Sequence, residues 1–293
     1  MKAAALLLAA SLGAGSAGAA EIYRQRSLYQ DVIVTEDKGL RCMQFGLAAR
    51  ILQTCVDQAQ PDRLVFPYTR MLMAALYLNP APRNVLVIGL GGGTVPRTLT
   101  RLVDGVTIDA VELDPAVVKV AQRYFGFAER PGLTATVEDG RVFVKRAQRQ
   151  SRRYDLIVLD AYGHQYIPEH MLTREFLLEV KSLLAPGGVV AANTHTTSKL
   201  FFAESATYHE VFGPFFSLTD GNRVILARPD GLPTRAQIEQ NADRLEARLQ
   251  PFGTGKAYLL PLFSSRASWP RDTRVLTDQY SPANLLNGRP AQP

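Results

Sequence analysis

The sequence is poor in several features that would assign a function directly. Only two of its 293 residues are cysteine, four are histidine and one is tryptophan. The spacing of His164, His170 and His195 is not that of metal ligands, so no metal site is expected. No G-x-x-x-x-G-K-[S/T] phosphate loop and no internal repeat is present. After residue 20 no run of about 18 apolar residues occurs, so no membrane span is expected.

The sequence also lacks a large excess of either positive or negative charge. The 33 basic and 27 acidic residues leave a net charge of +6. The densest basic stretch, Arg149–Arg153, is interpreted as a solvated loop, so no nucleic-acid partner is expected. With 46% hydrophobic and 20% charged residues, the composition is that of a globular protein, and the length favours one large domain with a small appendage.

The first twenty residues differ from the rest of the chain. Lys2 precedes the apolar stretch Ala3–Ala10, and Ser16-Ala-Gly-Ala19 supplies small residues suited to cleavage after Ala19 or Ala20. This pattern predicts a secretory signal peptide at residues 1–20 and a periplasmic or secreted protein. The alternative is an alanine-rich N-terminus that is never cleaved.

Export would give the two cysteines an oxidising environment, in which a disulfide persists. Cys42 and Cys55 flank Met43–Thr54, which is predicted to form two short strands. In a hairpin centred near Ala48–Ala49 the two cysteines would lie opposite one another. A Cys42–Cys55 disulfide is therefore the hypothesis, and a pair of buried, unbonded thiols is the alternative.

The chain divides into a β subdomain at residues 21–66, an α/β domain at 67–230, and a helix with a loop-rich tail at 231–293. The predicted strands of the α/β domain are Asn84–Gly89, Thr107–Leu113, Leu133–Glu138, Tyr154–Asp160 and Val189–Asn193. The predicted helices are Tyr68–Leu78, Val95–Val103, Pro115–Tyr124, Arg141–Gln148, Arg174–Leu184 and residues 234–250. A closing hairpin is predicted from Phe215–Leu218 and Arg223–Ala227. This alternation predicts an α/β fold with a doubly wound, mostly parallel sheet and one antiparallel strand near an edge.

A glycine-rich turn follows the first strand of that sheet. It contains Gly89, Gly91 and Gly93, and Glu112 ends the next strand, 23 residues after Gly89. Ligands of such sheets bind beyond the carboxyl ends of the strands. Glycines let the backbone approach a nucleoside, and the acidic residue accepts hydrogen bonds from both ribose hydroxyls. This spacing predicts a crevice for an adenosine-type ligand.

Further carboxylates converge on the same edge of the sheet. Asp114 follows Glu112 closely, Asp139-Gly140 ends the third strand, and Asp160 ends the fourth. A carboxylate at Asp139 is suited to an adenine amine. The turn has Thr94 and not the third glycine of the dinucleotide motif, so a ligand of the S-adenosylmethionine class is expected in a Rossmann-like fold of the methyltransferase type.

These residues resemble the spermidine synthase (polyamine aminopropyltransferase) family over about residues 27–228. The segments that carry the resemblance are Ser27-Leu-Tyr-Gln30, Val87–Gly93, Val111-Glu-Leu-Asp-Pro115, Glu138-Asp-Gly140, Tyr154–Asp160, Phe176–Gly188 and, in the tail, Leu276–Pro282. The resemblance implies transfer of an aminopropyl group from decarboxylated S-adenosylmethionine to a diamine, releasing methylthioadenosine. It also implies a nucleoside contact by Gln30, a catalytic role for Asp160 and a homodimer.

The sequence departs from the family pattern in the half of the site that binds the amine. Thr94 stands where the family has an aspartate, Gly163 replaces the second acid of Asp-x-x-Asp, and Tyr68-Thr69-Arg70 replaces Tyr-His-Glu. Tyr68 is kept as a substrate residue. His164, with an ordinary pKa of ~6.5, is a candidate base, and Asp278 is a candidate source of negative charge. The alternatives are a solvated His164 in a surface loop and an Asp278 that only caps a turn.

Three functions remain open from the sequence. The first is an aminopropyltransferase with an altered acceptor or weakened activity. The second is an S-adenosylmethionine-dependent methyltransferase, because Thr94 no longer repels the carboxylate of intact S-adenosylmethionine. The third is an exported, non-catalytic binder of a nucleoside or polyamine, since neither sulfonium donor is expected outside the cytoplasm. The expected partners are a small-molecule nucleoside and a polyamine, the third function also leaves a protein partner open, and no prosthetic group is expected.

Overall fold

The computed structural model describes residues 19–46, 52–161, 168–266, 268–283 and 285. Nearly all of the predicted signal peptide lies outside the described residues, and so do the hairpin centre at Ala48–Ala49, Gly163 and the candidate base His164.

The N-terminal subdomain is a four-stranded antiparallel sheet in the order β1-β2-β3-β4. Its strands are β1 (Ala20–Gln25), β2 (Val32–Asp37), β3 (Leu40–Phe45) and β4 (Leu52–Asp57). The strand β1 was not predicted; it begins at Ala20, at the predicted cleavage site of the signal peptide. Cys42 of β3 lies opposite Cys55 of β4, with 4.1 Å between their Cα atoms, and a disulfide joins them.

The larger sheet has seven strands in the order β10-β11-β9-β8-β5-β6-β7. They are β5 (Asn84–Ile88), β6 (Thr107–Glu112), β7 (Leu133–Val137), β8 (Tyr154–Leu159), β9 (Leu184–His195), β10 (Phe215–Asp220) and β11 (Asn222–Ala227). The strands from β5 to β9 pair in parallel, and β11 runs antiparallel to β9. The predicted fold class, with one antiparallel strand near an edge, is confirmed.

Helices cover both faces of this sheet. The helices are α1 (Pro67–Leu72), α2 (Ala75–Leu78), α3 (Thr94–Leu102), α4 (Pro115–Tyr124), α5 (Gly140–Arg149), α6 (Arg174–Ser182), α7 (Phe201–Phe212), α8 (Arg235–Leu249) and α9 (Lys256–Leu259). Alternate residues of β5 belong to two separate buried clusters, Val85 and Val87 to one and Leu86 and Ile88 to the other. Burial on both faces is what a parallel sheet between helices requires. Within the described ranges, no helix has the length and apolar character needed to cross a bilayer.

Two predicted elements are wrong in detail, and one helix was not predicted. The helix predicted at Tyr68–Leu78 is two helices, because the backbone between them forms turns in which amides bond to carbonyls three residues back, as from Ala74 to Met71. The last parallel strand begins at Leu184 and not at Val189, since Tyr154 of β8 pairs with Leu184. The helix α7 was not predicted, because its buried positions include polar residues and so give no apolar stripe.

A buried ion pair fastens α7 to the β9–β11 region of the sheet. The guanidinium of Arg223 on β11 donates to Glu204 on α7 at 3.1 Å, to the Thr194 hydroxyl at 2.8 Å and to the Ser205 hydroxyl at 2.6 Å. The two charged side chains are 2% and 4% exposed. Because Arg223 follows Asn222 directly, this network holds the start of β11 against β9.

Replacement of Glu204 by alanine is expected to lower the free energy of unfolding by about 3–5 kcal/mol, because it leaves a buried guanidinium without its counter-charge. Urea denaturation at neutral pH measures this change. The control is Glu210→Ala, which removes a half-exposed ion pair with Arg174 from the same helix and is expected to cost little. The Glu204→Leu/Arg223→Met double variant is expected to recover most of the loss. Equal costs for the two single variants would contradict the assigned role.

Candidate functional site

The carboxyl ends of β5, β6 and β8 meet at the switch point of the sheet. The strands β6 and β7 lie on one side of β5, and the strands that follow them in the sequence, β8 and β9, lie on the other side. The strand β5 lies between β6 and β8, and the backbone amides of Gly89 and Asp160 donate to Val111 and Ile88 at 2.8 Å each. Gly89 has φ +96°, and a Cβ atom there would overlap the carbonyl oxygen of Asp160. Glycine is thus required at this position by the close approach of the two chains. Ligands of α/β sheets bind at such a switch point.

Glu112 holds the glycine turn in place. Its Oε2 atom accepts from the Leu90 amide at 3.0 Å, and its Oε1 atom accepts from the Asp114 amide at 3.1 Å. Removal from water raises the pKa of Glu112, while these amides act in the opposite direction. A carboxylate has about four acceptor positions, so Glu112 keeps acceptor capacity for a ribose hydroxyl beside the backbone amides of Leu90, Gly91 and Asp114.

The two predicted aspartates that follow β6 and β7 are helix caps. Asp114 caps α4 through the Ala116 amide at 2.8 Å and also accepts a hydrogen bond from the Ser27 hydroxyl. Asp139 caps α5 and lies 2.9 Å from Nε2 of His170. Because each helix begins at a strand end, both carboxylates lie at the edge of the sheet predicted to bind the ligand.

A cavity of about 270 Å³ opens beside the glycine turn. Its wall combines the N-terminal sheet, α1, the turn itself and the ends of β8, β9 and the β10–β11 hairpin. Of the predicted site residues, Tyr68, Gly91 and Asp160 line this cavity, together with Thr94. The Thr94 hydroxyl lies 3.2 Å from that of Thr54 on β4, so uncharged hydroxyls occupy this part of the wall.

Asp160 is the carboxylate at the base of this cavity. Removal from water, reinforced by the nearby charge of Glu112, raises the pKa of Asp160 to about 7, although hydrogen bonds from Asn193 and Tyr68 act in the opposite direction. The Asn193 side-chain amide donates to Oδ1 of Asp160 at 2.9 Å. An acid with such a pKa exchanges a proton near neutral pH.

Tyr68 stays protonated beside Asp160. Removal from water, the charge of Asp160 and a hydrogen bond with it raise the pKa of the Tyr68 hydroxyl well above its usual value. The ring stacks on Phe66 with 6.0 Å between the ring centroids. The hydroxyl also donates to the backbone carbonyl of Gln53 at 3.4 Å, so Tyr68 is a hydrogen-bond donor at the cavity wall.

The structure places Asp278 in an ion pair and not in the cavity wall. Its carboxylate receives two hydrogen bonds from Arg141, at 2.6 and 2.8 Å, and one from Thr173 at 2.7 Å. The hydrogen bond with Arg141 is the main reason that the pKa of Asp278 lies below its usual value. This contact fastens the tail to α5 and to the start of α6.

The other predicted site residues lie around the cavity. Gln30 is half-buried in the β1–β2 connection, outside the cavity wall. A Cβ atom at Gly93 would meet the Phe127 ring, and one at Gly140 would meet Ile88. These two glycines thus allow close packing of the turn and of α5.

Several cavity residues were missed by the sequence reasoning. They are Asn193 and His195 at the end of β9, and Asp220 and Asn222 of the hairpin. Asn193 carried a signal, because it ended a predicted strand next to the strand of Asp160. The dipeptide Asp220-Gly221 was interpreted only as a turn. Among the described residues, no group of three or more His, Cys, Asp or Glu side chains is placed to hold a metal ion.

Known proteins resemble this chain in sequence and in fold. Residues 65–212 match the sequence model of the spermine/spermidine synthase domain. A polyamine aminopropyltransferase of Vibrio vulnificus is 45% identical over 90% of this chain and 91% of that protein. The structure of a probable spermidine synthase from Corynebacterium glutamicum has a TM-score of 0.67 at 18% identity, covering 87% of this chain and 96% of that one. Human methyltransferase-like protein 13, solved in complex with SAH, has a TM-score of 0.56 at 25% identity, covering 73% and 99%.

Asp160→Asn is expected to make the protein more stable at pH 8 by roughly 2–4 kcal/mol and to change little at pH 4. The pKa of Asp160 is about 7 in the folded state and ~3.9 in an unfolded chain, so folding favours the neutral acid. This contribution is complete below about pH 4 and is lost as the pH rises through 7, whereas asparagine never ionises. Denaturant midpoints between pH 4 and 8 measure the difference. Parallel pH dependences for the two proteins would contradict the assignment.

Proposed function

Because the chain belongs to the spermine/spermidine synthase family, we propose that it transfers an aminopropyl group from decarboxylated S-adenosylmethionine to a polyamine acceptor. The acceptor nitrogen forms a bond to the carbon next to the sulfonium, and the carbon–sulfur bond breaks. The bonding pair stays on sulfur, and methylthioadenosine leaves. The observation that carries the proposal is the enclosed carboxylate of Asp160 beside the glycine turn.

Asp160 is the base of the proposed reaction. An alkylammonium must lose a proton before its nitrogen attacks, and the proton passes to an acceptor within hydrogen-bond reach. With a pKa of about 7, Asp160 is ionised in slightly alkaline solution and still basic enough to accept this proton. The Asn193 amide on one oxygen holds the carboxylate in a fixed orientation.

The nucleoside occupies the edge of the sheet next to this base. The carboxylate of Glu112 accepts hydrogen bonds from the ribose hydroxyls. The turn from Gly89 to Gly93 lets the ligand approach the backbone. Asp139, whose Oδ2 atom lies 2.9 Å from Nε2 of His170, is the proposed acceptor for the adenine amine. Fixing the donor carbon against the acceptor nitrogen accounts for much of the rate enhancement of such a transfer.

The acceptor extends from Asp160 toward the hairpin. Asp220 lines the same cavity at its exposed end and accepts a hydrogen bond from the Tyr258 hydroxyl at 2.6 Å. A diamine carries a second ammonium away from the attacking nitrogen, and a second carboxylate is the group suited to hold it. Asp220 is thus the recognition residue for the far end of the acceptor.

Methyl transfer from intact S-adenosylmethionine is the second candidate function. The observation in its favour is the neutral Thr54–Thr94 hydroxyl pair at the start of α3. A helix N-terminus without an acidic residue in its first turn accommodates a substrate carboxylate.

The test is an assay of the purified protein with decarboxylated S-adenosylmethionine and putrescine. The expected result is equimolar release of spermidine and methylthioadenosine. Asp160→Asn is expected to lower kcat by about 10²–10⁴-fold and to retain methylthioadenosine binding, which calorimetry measures. Release of S-adenosylhomocysteine from intact S-adenosylmethionine would support the second candidate. Nucleoside binding without turnover would contradict both.

Asp220→Asn is expected to raise the KM for putrescine by about tenfold and to leave the KM for the sulfonium donor unchanged, because it removes a charged acceptor from the far end of the diamine only. Steady-state kinetics with each substrate varied in turn measure the two constants. Asp104→Asn is the matched control, since it removes the same charge beyond the far end of α3, where Asp104 pairs with Arg248. A similar KM increase in both variants would show a general charge effect and refute the assignment.

A further inference from the structure

Two asparagine side chains connect the hairpin to Asp160. In the pairing of β9 with β11, Asn222 lies opposite His195, and Val224 lies opposite Asn193. Asn222 and Asn193 are therefore diagonal neighbours on one face of the sheet. The Asn222 amide donates to Oδ1 of Asn193 at 2.9 Å, and the Asn193 amide donates to Oδ1 of Asp160 at 2.9 Å.

The two hydrogen bonds point the same way, because Asn222 donates to Asn193 and Asn193 donates to Asp160. An asparagine side chain has a carbonyl at one position and an NH2 group at the other, and rotation by half a turn exchanges them. While Asp160 is ionised, a rotated Asn193 would turn its carbonyl toward a carboxylate and its NH2 toward the NH2 of Asn222. Both contacts would be repulsive. Asn193 is only 5% exposed, so water has little access to replace either partner.

We propose that Asn222 is a positioning residue, which fixes the orientation of the Asn193 amide and so keeps Asp160 ionised and turned toward the attacking amine. Asn222 touches neither the donor nor the reacting nitrogen in this assignment and acts through Asn193. The inference rests on the proposed function, because it assigns Asp160 as the base. Without the donor of Asn222, the Asn193 side chain can rotate so that its carbonyl accepts a hydrogen bond from the neutral form of Asp160, which would favour that form.

The other groups near Asp160 are unchanged by a substitution at Asn222. Tyr68 faces the carboxylate from α1, and Glu112 lies near it at the end of β6. His195 of β9 and Asp220 of the hairpin line the same cavity. Because these neighbouring groups are the same in the variant and in the native protein, a change in the titration of Asp160 can be attributed to the substitution at Asn222.

The experiment compares Asn222→Asp and Asn222→Ala with the native protein. Aspartate has the shape of asparagine but only accepts hydrogen bonds and adds a negative charge, so it draws the NH2 of Asn193 away from Asp160 and also repels the ionised carboxylate. Asn222→Ala removes the donor without adding charge and therefore tests the positioning role by itself. The acidic limb of the pH profile of kcat/KM is expected to move upward by about one pH unit in Asn222→Asp and by less in Asn222→Ala. Thr219→Ala is the control, because Thr219 lies exposed on the same hairpin outside the cavity wall.

Infrared difference spectroscopy supplies a readout that needs no turnover. The carboxyl band that disappears in Asp160→Asn identifies the titration of Asp160, and its midpoint is expected to move upward in both Asn222 variants. A band that moves in a protein without transferase activity would support the positioning role and refute the proposed function. Transferase activity with an unmoved band and an unmoved pH limb in Asn222→Ala, which adds no charge, would refute the positioning role alone. Thermal melting checks that each variant is folded.

Discussion

The enclosure of one carboxylate, that of Asp160, is the constraint on which the rest of the site depends. The close approach of Gly89 to the Asp160 backbone brings β5 and β8 together and sets the carboxylate into the cavity wall, where removal from water raises its pKa. Glu112 adds a second negative charge nearby. Neutral donors offset this electrostatic cost, because Asn193 and Tyr68 bind the carboxylate without supplying a full counter-charge. An acid held in this way remains able to exchange protons near neutral pH.

The sequence was most informative where local patterns determine the structure. The strands β5, β6 and β8 and the helix α4 follow from apolar runs, glycines and a proline, so the residues at their ends were identified without coordinates. The convergence of Glu112 and Asp160 follows from the parallel sheet itself. By contrast, the contact of Asn222 with Asn193 depends on the register of two antiparallel strands, which apolar alternation alone leaves unspecified here. The ion pair of Asp278 with Arg141 joins distant segments, and no local pattern predicts it.

At this edge of the sheet the residues that cap helices are also the ones proposed to bind the ligand. Asp114 and Asp139 each begin a helix, and each also contacts a second segment, through Ser27 and His170 respectively. A cap of this kind is already oriented by its helix, so a ligand meets a carboxylate with little remaining freedom. The tail contributes from outside, since Asp278 binds Arg141 in the first turn of α5, next to Asp139.

The disulfide of the N-terminal sheet joins two strands that also line the cavity, and whether it stays formed depends on the redox conditions around the protein. Cys42 and Cys55 join β3 to β4, and these two strands also supply Phe45, Leu52 and Thr54 to the cavity wall. Reduction of this bond would remove a covalent link from the strands that form this part of the cavity wall, whereas the ends of β5, β6 and β8 carry no disulfide. The thiol–disulfide balance around the protein would therefore act on one side of the cavity and leave the covalent structure of the glycine turn unchanged.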